Sequence, residues 1–361
     1  MASTRTMASH LKAGILTFHR CINYGSYWQA RCLAEGLRER GIDAVLLDHD
    51  TPSINRAEWR CALQPLLPER VTRSDRQLYA AKARKFFCAF EDLPRSERFT
   101  LDDATTPDGF DAVLVGSDEV WNFCHPWFGG RPAFFGSGVR SKRLVSYAAS
   151  FGNHDHSVGI DQHSADRLRR FTSISVRDEN SRRLINGALG VEPEVVLDPC
   201  LQFPLARRAH AGGQADYAVV YGHGFPNWFK HSVRAWADRR GLRLVSIGYR
   251  NDWADEQQIT ASPEEFAELI GRSAAVATNF FHGCVFAILN GKPFACAASP
   301  YRSNKIRDLT DGLKAGAHLL DESATASDYD HVLSDPLSPR IDEEVTRMRA
   351  RSDAYLDHAL A

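Results

Sequence analysis

Short apolar segments alternate with helical segments along this chain, and the alternation occurs twice. Each apolar segment has the length of a buried strand, and a turn or a helix start follows it. Strands separated by helices pair in parallel, because a parallel pair needs a crossover connection. The sequence therefore predicts an α/β protein with two Rossmann-like parallel-sheet domains that face a cleft. The predicted strands are residues 13–19, 43–50, 111–118, 143–150, 171–178 and 194–199, then 217–224, 242–249, 274–278 and 293–298.

A polar, aperiodic stretch separates the two sets of strands. It contains adjacent glycines and no apolar period, which is typical of a linker. The predicted organisation is a disordered leader at 1–12, a first domain at 13–204, a linker at 205–216, a second domain at 217–335 and a C-terminal helix at 336–361.

Two helix starts carry the signature of a capping box, in which a Ser and a Glu or Gln three residues later satisfy unpaired backbone N–H groups. Ser26 with Gln29 predicts one start, and Ser262 with Glu265 predicts another.

Composition excludes several classes of protein. The chain has 44 Lys and Arg against 45 Asp and Glu, whereas a nucleic-acid or polybasic membrane surface needs a positive excess. No apolar run reaches the ~18 residues of a membrane span, and the first residues lack the apolar region of a signal peptide.

The closest of the eight cysteines, Cys21 and Cys32, are eleven residues apart, so no CxxC motif exists. We expect reduced cysteines and a cytoplasmic protein, and we leave a homo-oligomer open.

In the second domain, polar residues follow two strand ends. His282 and Gly283 begin a helix directly after the strand at 274–278, and a helix N-terminus suits an anion. His282 there is a candidate phosphate-binding or proton-donating group, and the alternative is a capping or core histidine. Arg302, Asn304 and Lys305 follow the next strand, where the cations either bind a phosphate or carboxylate or form a solvated face.

In the first domain, Asp118, Glu119, Trp121 and Asn122 follow the strand at 111–118. Carboxylates can act as a general base or bind hydroxyls, and a Trp can stack on a sugar ring. The alternative is a capped helix start with a core Trp. Arg177 follows another strand, where it reaches a cleft anion or pairs with a neighbouring acid.

Six segments together resemble the polysaccharide pyruvyltransferase family, over about residues 13–310. The segments are NYGSYWQA (23–30), VGSDEVWN (115–122), SYAASFG (146–152), SVRDENS (175–181), VLDP (196–199) and TNFFHGCVFAILNGKPF (278–294).

The resemblance implies a GT-B-like pair of domains, with the acceptor on the first and the donor on the second. It also implies transfer of a pyruvyl group from phosphoenolpyruvate to two hydroxyls of a sugar, which forms a cyclic ketal and releases phosphate. Arg177 matches the Arg expected on the donor carboxylate or phosphate, and His282 matches the His of the F-H-G motif. The cation about twenty residues further on is Arg302, with Lys305 as the competing match. Our substrate-binding candidates are Arg302, Lys305, Asn304, Gly283, Asn23, Tyr24, Gly25, Glu119, Trp121, Asn122 and Gly222.

The chain departs from the family pattern at two places. Asn279 and Phe280 stand where the family has Asp-Ser, which removes a carboxylate and a hydroxyl next to His282. Glu119 replaces the Gln of S-D-Q-x-W and adds a charge on the acceptor side.

Ketal formation needs an acid for the enol carbon, charge that stabilises the oxocarbenium-like carbon, and a base for the acceptor hydroxyl. We expect His282 as the acid, Arg177 and Arg302 on the carboxylate and phosphate, and Asp118 as the base. Phosphoenolpyruvate is a co-substrate in this scheme, and neither a cofactor nor a metal is expected. A nucleotide-sugar glycosyltransferase of the same architecture and a catalytically inactive binding homologue remain as alternatives.

Overall fold

The computed structural model of the protein describes residues 11–102, 105–208, 216–297 and 303–361. Three expectations fall outside these residues: nearly all of the leader, the central part of the linker (209–215) and the donor-binding role of Arg302.

The first domain is built on a parallel sheet with the strand order β3-β2-β1-β4-β5. Its strands are β1 (Lys12–Leu16), β2 (Asp43–His49), β3 (Arg95–Phe99), β4 (Phe110–Val115) and β5 (Ser141–Ser146). A short parallel pair, β6 (Ser175–Val176) with β7 (Glu194–Val195), continues beside it through single bridges. The helices are α1 (Tyr24–Glu39), α2 (Pro52–Leu63), α3 (Arg73–Glu91), α4 (Gln162–Leu168), α5 (Glu179–Leu189) and α6 (Pro199–Gln202).

The second domain repeats the plan with the strand order β10-β9-β8-β11-β12-β13, again parallel. Its strands are β8 (Tyr217–Tyr221), β9 (Arg243–Ile247), β10 (Glu256–Gln258), β11 (Val276–Thr278), β12 (Phe294–Ala297) and β13 (Leu319–Leu320). Its helices are α7 (Asn227–Arg240), α8 (Pro263–Arg272), α9 (Phe281–Leu289), α10 (Ser303–Gly312) and α11 (Ala326–Ser334). The two parallel sheets confirm the predicted fold class.

The last helix, α12 (Pro339–Leu360), packs on the first domain. Tyr355 Oη donates to the carbonyl of Ser146 at 2.6 Å, and Ser352 Oγ accepts from Leu197 N at 3.0 Å. In the described part of the chain, no helix combines the length and the apolar character needed to cross a membrane.

Helix α1 joins the two domains through an apolar face. Tyr24 stacks on Phe266 of α8 with ring centroids 4.3 Å apart, and its hydroxyl donates to the carbonyl of Ala261 at 2.7 Å. One turn later, Trp28 Nε1 donates to the carbonyl of Pro263 at 2.9 Å. All three side chains are buried, so the apolar core continues from one sheet to the other and fixes the cleft between them.

The capping box predicted at Ser262 and Glu265 is confirmed, because each side chain accepts from the other residue's backbone N–H. The box predicted at Ser26 is wrong. Helix α1 begins two residues earlier, with Asn23 as its N-cap, and Asn23 Oδ1 accepts from Ser26 N at 3.2 Å. An Asn is as good an N-cap as a Ser. The Ser26 hydroxyl is therefore free to donate to Asp118 Oδ2.

Candidate active site

The first feature of the site is His282, which the second domain presents at the N-terminus of α9. Its Nε2 lies 3.5 Å from Asp198 Oδ2 of the first domain, and the ring is 9% exposed. The ring rests against Gly25 of α1, where a Cβ would lie 2.0 Å from His282 Nδ1. Only a glycine at this position allows helix α1 to pass so close to the imidazole.

Arg177 connects Asp198 with Asp118. Its Nη1 donates to Asp198 Oδ2 at 2.9 Å, and its Nη2 lies 3.5 Å from Asp118 Oδ1. Its guanidinium also lies 4.3 Å from the ring centroid of Phe281. Burial alone would raise the pKa of Asp198, but the neighbouring His282 and Arg177 hold that pKa well below its ordinary value. Asp198 is therefore a carboxylate that can orient the imidazole of His282.

Asp118 occupies the carboxyl end of β4 with a φ of 74°, in the left-handed region that few residues other than glycine adopt. Its Oδ2 accepts from Ser26 Oγ at 2.7 Å, and its Oδ1 accepts from Glu119 N at 2.9 Å. These contacts hold the Asp118 carboxylate at the wall of a cavity between the domains.

Lys305 of α10 forms an ion pair with Glu119 across the cleft. Burial would raise the pKa of Glu119, but the positive charge of Lys305 outweighs burial and lowers the pKa to about 2. Asn122 Nδ2 donates to Glu119 Oε2 at 2.8 Å and holds the carboxylate in place. The charge of Lys305 is thus already countered by Glu119.

Two adjoining cavities of about 280 Å³ and 220 Å³ open between the domains. Both are lined by Asn23, Tyr249, His282 and Lys305. The larger one also reaches Asp118 and Glu119, so it brings the predicted acid and the predicted base to one space. Arg177 instead lines a separate cavity of about 850 Å³ and reaches His282 through Asp198.

Other predicted site residues do not line the two cavities beside His282. Trp121 is fully buried and donates to the carbonyl of Phe134 at 2.8 Å, as the core-tryptophan alternative describes. Tyr24 lies in the domain interface, and Asn304 Nδ2 contacts Asp155 Oδ2 at 3.3 Å. Gly222 and Gly283 allow close packing, since a Cβ on Gly222 would meet Asn279 Oδ1 at 2.1 Å and one on Gly283 would meet Thr278 Oγ1 at 2.0 Å.

Sequence reasoning missed Asp198 and Lys82. Asp198 lies near the end of the predicted strand at 194–199, and an acid between the apolar run at 195–197 and Pro199 was the available signal. Lys82 lies within the stripe Tyr79, Ala83 and Phe86 of α3, whose helical spacing marks the buried face. Lys82 is 4% exposed and lines the larger cavity. Burial lowers the pKa of Lys82 to about 7.

One group in the described ranges has the residue types of a metal site. Asp198, Cys200 and His282 place ligand-type atoms within 4.8 Å of one another. However, Asp198 Oδ2 already accepts from Arg177, and Asp198 Oδ1 accepts from Cys200 N at 3.0 Å. A cation bound to this carboxylate would lie beside the guanidinium and be repelled, so the geometry fits a hydrogen-bonded network better than a metal.

The family model for polysaccharide pyruvyl transferases matches residues 23–299. This chain belongs to the polysaccharide pyruvyl transferase family. The match includes every residue of the His282, Asp198 and Arg177 network. No curated protein sequence matches the chain significantly.

Several solved structures are similar to the chain over most of its length. MnaA of S. aureus, in a structure with UDP, has 12% identity and a TM-score of 0.48, with 97% of this chain and 96% of that chain covered. The UDP-GlcNAc 2-epimerase of Methanocaldococcus jannaschii has 12% identity and a TM-score of 0.48, covering 94% and 99%. The glycosyltransferase SnogD of Streptomyces nogalater has 14% identity and a TM-score of 0.43, covering 95% of each chain. We draw no functional conclusion from similarities of this size.

The contact between Gly25 and His282 predicts that substitutions at the two positions have strongly coupled effects on the free energy of unfolding. Gly25→Ala should lower the free energy of unfolding by about 1–3 kcal/mol, although Ala favours a helix, because the new methyl group displaces the imidazole. In a His282→Ala background the same change should cost much less. Urea unfolding of the four variants measures the coupling.

Gly187→Ala is the matched control, since Gly187 is also helical and its Cβ would meet nothing within 4 Å. It should be neutral or stabilising. Equal costs of Gly25→Ala in both backgrounds would show that the two residues do not touch.

The buried amine of Lys82 predicts a pH-dependent stability difference. In the folded protein its pKa is about 7, whereas an unfolded lysine keeps its ordinary higher value. Below pH 7 the Lys82 amine is protonated in both the folded and the unfolded protein. Above pH 7 it stays protonated only in the unfolded protein. Stability of the wild type relative to Lys82→Met should therefore rise above pH 7, by up to about 1.4 kcal/mol per pH unit. Urea unfolding between pH 6 and 9 tests this, and parallel curves would contradict it.

Proposed function

We propose that this protein transfers the pyruvyl group of phosphoenolpyruvate to two hydroxyls of a sugar or glycoconjugate, forming a ketal and releasing phosphate. One observation carries the proposal: an imidazole backed by a buried carboxylate lines a cavity between the two domains of a chain in this family. The cytoplasmic location expected from the sequence, and a reaction without a resident cofactor, are parts of the same proposal.

The reaction begins with a proton. His282 donates it to the methylene carbon of the enol, and Asp198, 3.5 Å from His282 Nε2, orients the imidazole. Protonation leaves the adjacent carbon oxocarbenium-like, and the first acceptor hydroxyl attacks that carbon. A general acid in this role contributes roughly 10²–10⁴-fold in rate.

Phosphate then leaves, and the second hydroxyl attacks the same carbon to close the ketal. The acceptor loses two protons, of which one balances the proton given to the methylene carbon and the other leaves with phosphate. Asp118 accepts a hydroxyl proton. Its carboxylate lines the larger cavity and is held there by hydrogen bonds from Ser26 Oγ and Glu119 N.

Arg177 has a different role from the one expected. Its two terminal nitrogens face Asp198 and Asp118, and it lines a cavity other than the one beside His282. Arg177 therefore positions the acid and the base in this proposal and does not bind the donor directly. Among described cations, Lys305 and Lys82 line the larger cavity with His282.

The proposal predicts a labelled product. Protein incubated in D₂O with phosphoenolpyruvate and a panel of sugars and glycans should release phosphate and ketal in equal amounts. The ketal methyl group should carry one deuterium, because one of its hydrogens comes from solvent. Phosphate analysis and NMR of the methyl group measure both, and His282→Gln should lower the rate by about 10²–10⁴-fold.

The control is His231→Ala, which removes an exposed histidine from α7 and should leave the rate unchanged. Consumption of a nucleotide sugar without phosphoenolpyruvate would contradict the proposal and favour a glycosyltransferase. Release of phosphate without a ketal would contradict it as well.

A further inference from the structure

Lys82 reaches from the first domain to the carboxyl end of a strand in the second. Its Nζ donates to the carbonyl of Gly248, directly after β9, at 3.1 Å. The same atom lies 4.8 Å from the ring centroid of Tyr24 and 4.5 Å from that of Tyr249. The amine is thus enclosed by aromatic rings at the junction of the two domains, on the wall of the 280 Å³ cavity.

The charge of Lys82 lacks a compensating anion. Within the described ranges, Lys82 forms no ion pair, and its Nζ has one hydrogen-bond acceptor although an ammonium can donate three bonds. A buried ammonium is costly unless a negative charge accompanies it. By contrast, Lys305 in the same cavity has Glu119 as its partner.

We propose that Lys82 binds the anionic group of the ligand that enters this cavity, and that the amine takes up a proton when the anion binds. With phosphoenolpyruvate as the anion, the inference rests on the proposed function. It requires only a ligand with a carboxylate or phosphate close enough to complete the hydrogen bonds of the ammonium.

Other titratable groups line the same cavity, including His282, His125 and Glu58, so the proton uptake that belongs to Lys82 is the part that its variants lose. From α2, Cys61 raises the pKa of the amine slightly, and burial raises the pKa of Cys61 itself. Tyr24 from α1 has a pKa raised by burial and stays neutral. At the far walls of the cavity, Lys305 is paired with Glu119, and Glu58 accepts from Ile22 N and Trp127 Nε1.

The size of the proton uptake follows from how far Lys82 is protonated before the ligand binds. With a pKa of about 7, the amine is about one quarter protonated at pH 7.5. Full protonation beside an anion would therefore take up about 0.75 proton per site. Isothermal titration calorimetry measures this number, because the observed enthalpy varies with the ionisation enthalpy of the buffer.

The experiment titrates wild type, Lys82→Met, Lys82→Arg and Lys85→Met with phosphoenolpyruvate at pH 7.5 in HEPES and in imidazole. Inorganic phosphate and UDP serve as further probes. Lys82→Met should weaken binding by about 10- to 100-fold and remove about 0.75 proton of uptake. Lys82→Arg keeps the charge, so it should keep the affinity within about tenfold and lose the same uptake.

Lys85→Met is the matched control, since Lys85 lies one turn further along α3, has a side chain that is 41% exposed, and pairs with Glu265. It should bind and take up protons as the wild type does. If Lys82→Met does not fold, the loss of uptake in Lys82→Arg decides the question.

The outcomes separate this inference from the proposed donor. Binding of phosphoenolpyruvate with the same affinity and uptake in wild type and Lys82→Met would overturn the role of Lys82 and leave the donor in place. Binding of phosphate or UDP alone, with uptake that depends on Lys82, would support Lys82 and contradict the donor. Failure of all three probes to bind the wild type would overturn both.

Discussion

The site depends on a buried charge network that closes only when the two domains meet. Asp118, Arg177 and Asp198 come from the first domain and His282 from the second, with Arg177 Nη1 2.9 Å from Asp198 and His282 Nε2 3.5 Å from the same oxygen. Burying these groups is costly unless each charge has a partner. The network is therefore complete only where the two domains meet, and it places His282 of the second domain beside Asp198 of the first.

The apolar interface under this network sets its geometry. Tyr24 and Trp28 of α1 hold the second domain through aromatic contacts and through hydrogen bonds to the carbonyls of Ala261 and Pro263. Gly25, between them, lets the helix approach the imidazole more closely than any side chain would permit. A single helix thus joins the domains, supports His282, and through Ser26 fixes Asp118.

The strand–helix alternation was enough to predict the two parallel sheets, and a strand end before a helix start was enough to single out His282. Side-chain burial was not readable in the same way. Trp121 follows a strand end as a ligand contact would, yet Phe134 and the ring of Phe151 enclose it. Lys82 and Asp198 were missed because their burial and their contacts arise from chain segments far apart in sequence. The edge strand β3, with exposed Arg and Glu, lacks the apolar run on which the strand predictions relied.

The central claim is that this interdomain cavity holds phosphoenolpyruvate against His282. Thermal unfolding of the wild type and of His282→Ala, each with phosphoenolpyruvate and separately with UDP, tests it without knowledge of the acceptor. A ligand at about 100 times its Kd stabilises a protein by about 2.7 kcal/mol, which corresponds to a rise of a few degrees in Tm. We expect that rise with phosphoenolpyruvate in the wild type, a smaller rise in the variant, and none with UDP. A rise with UDP alone would contradict the account.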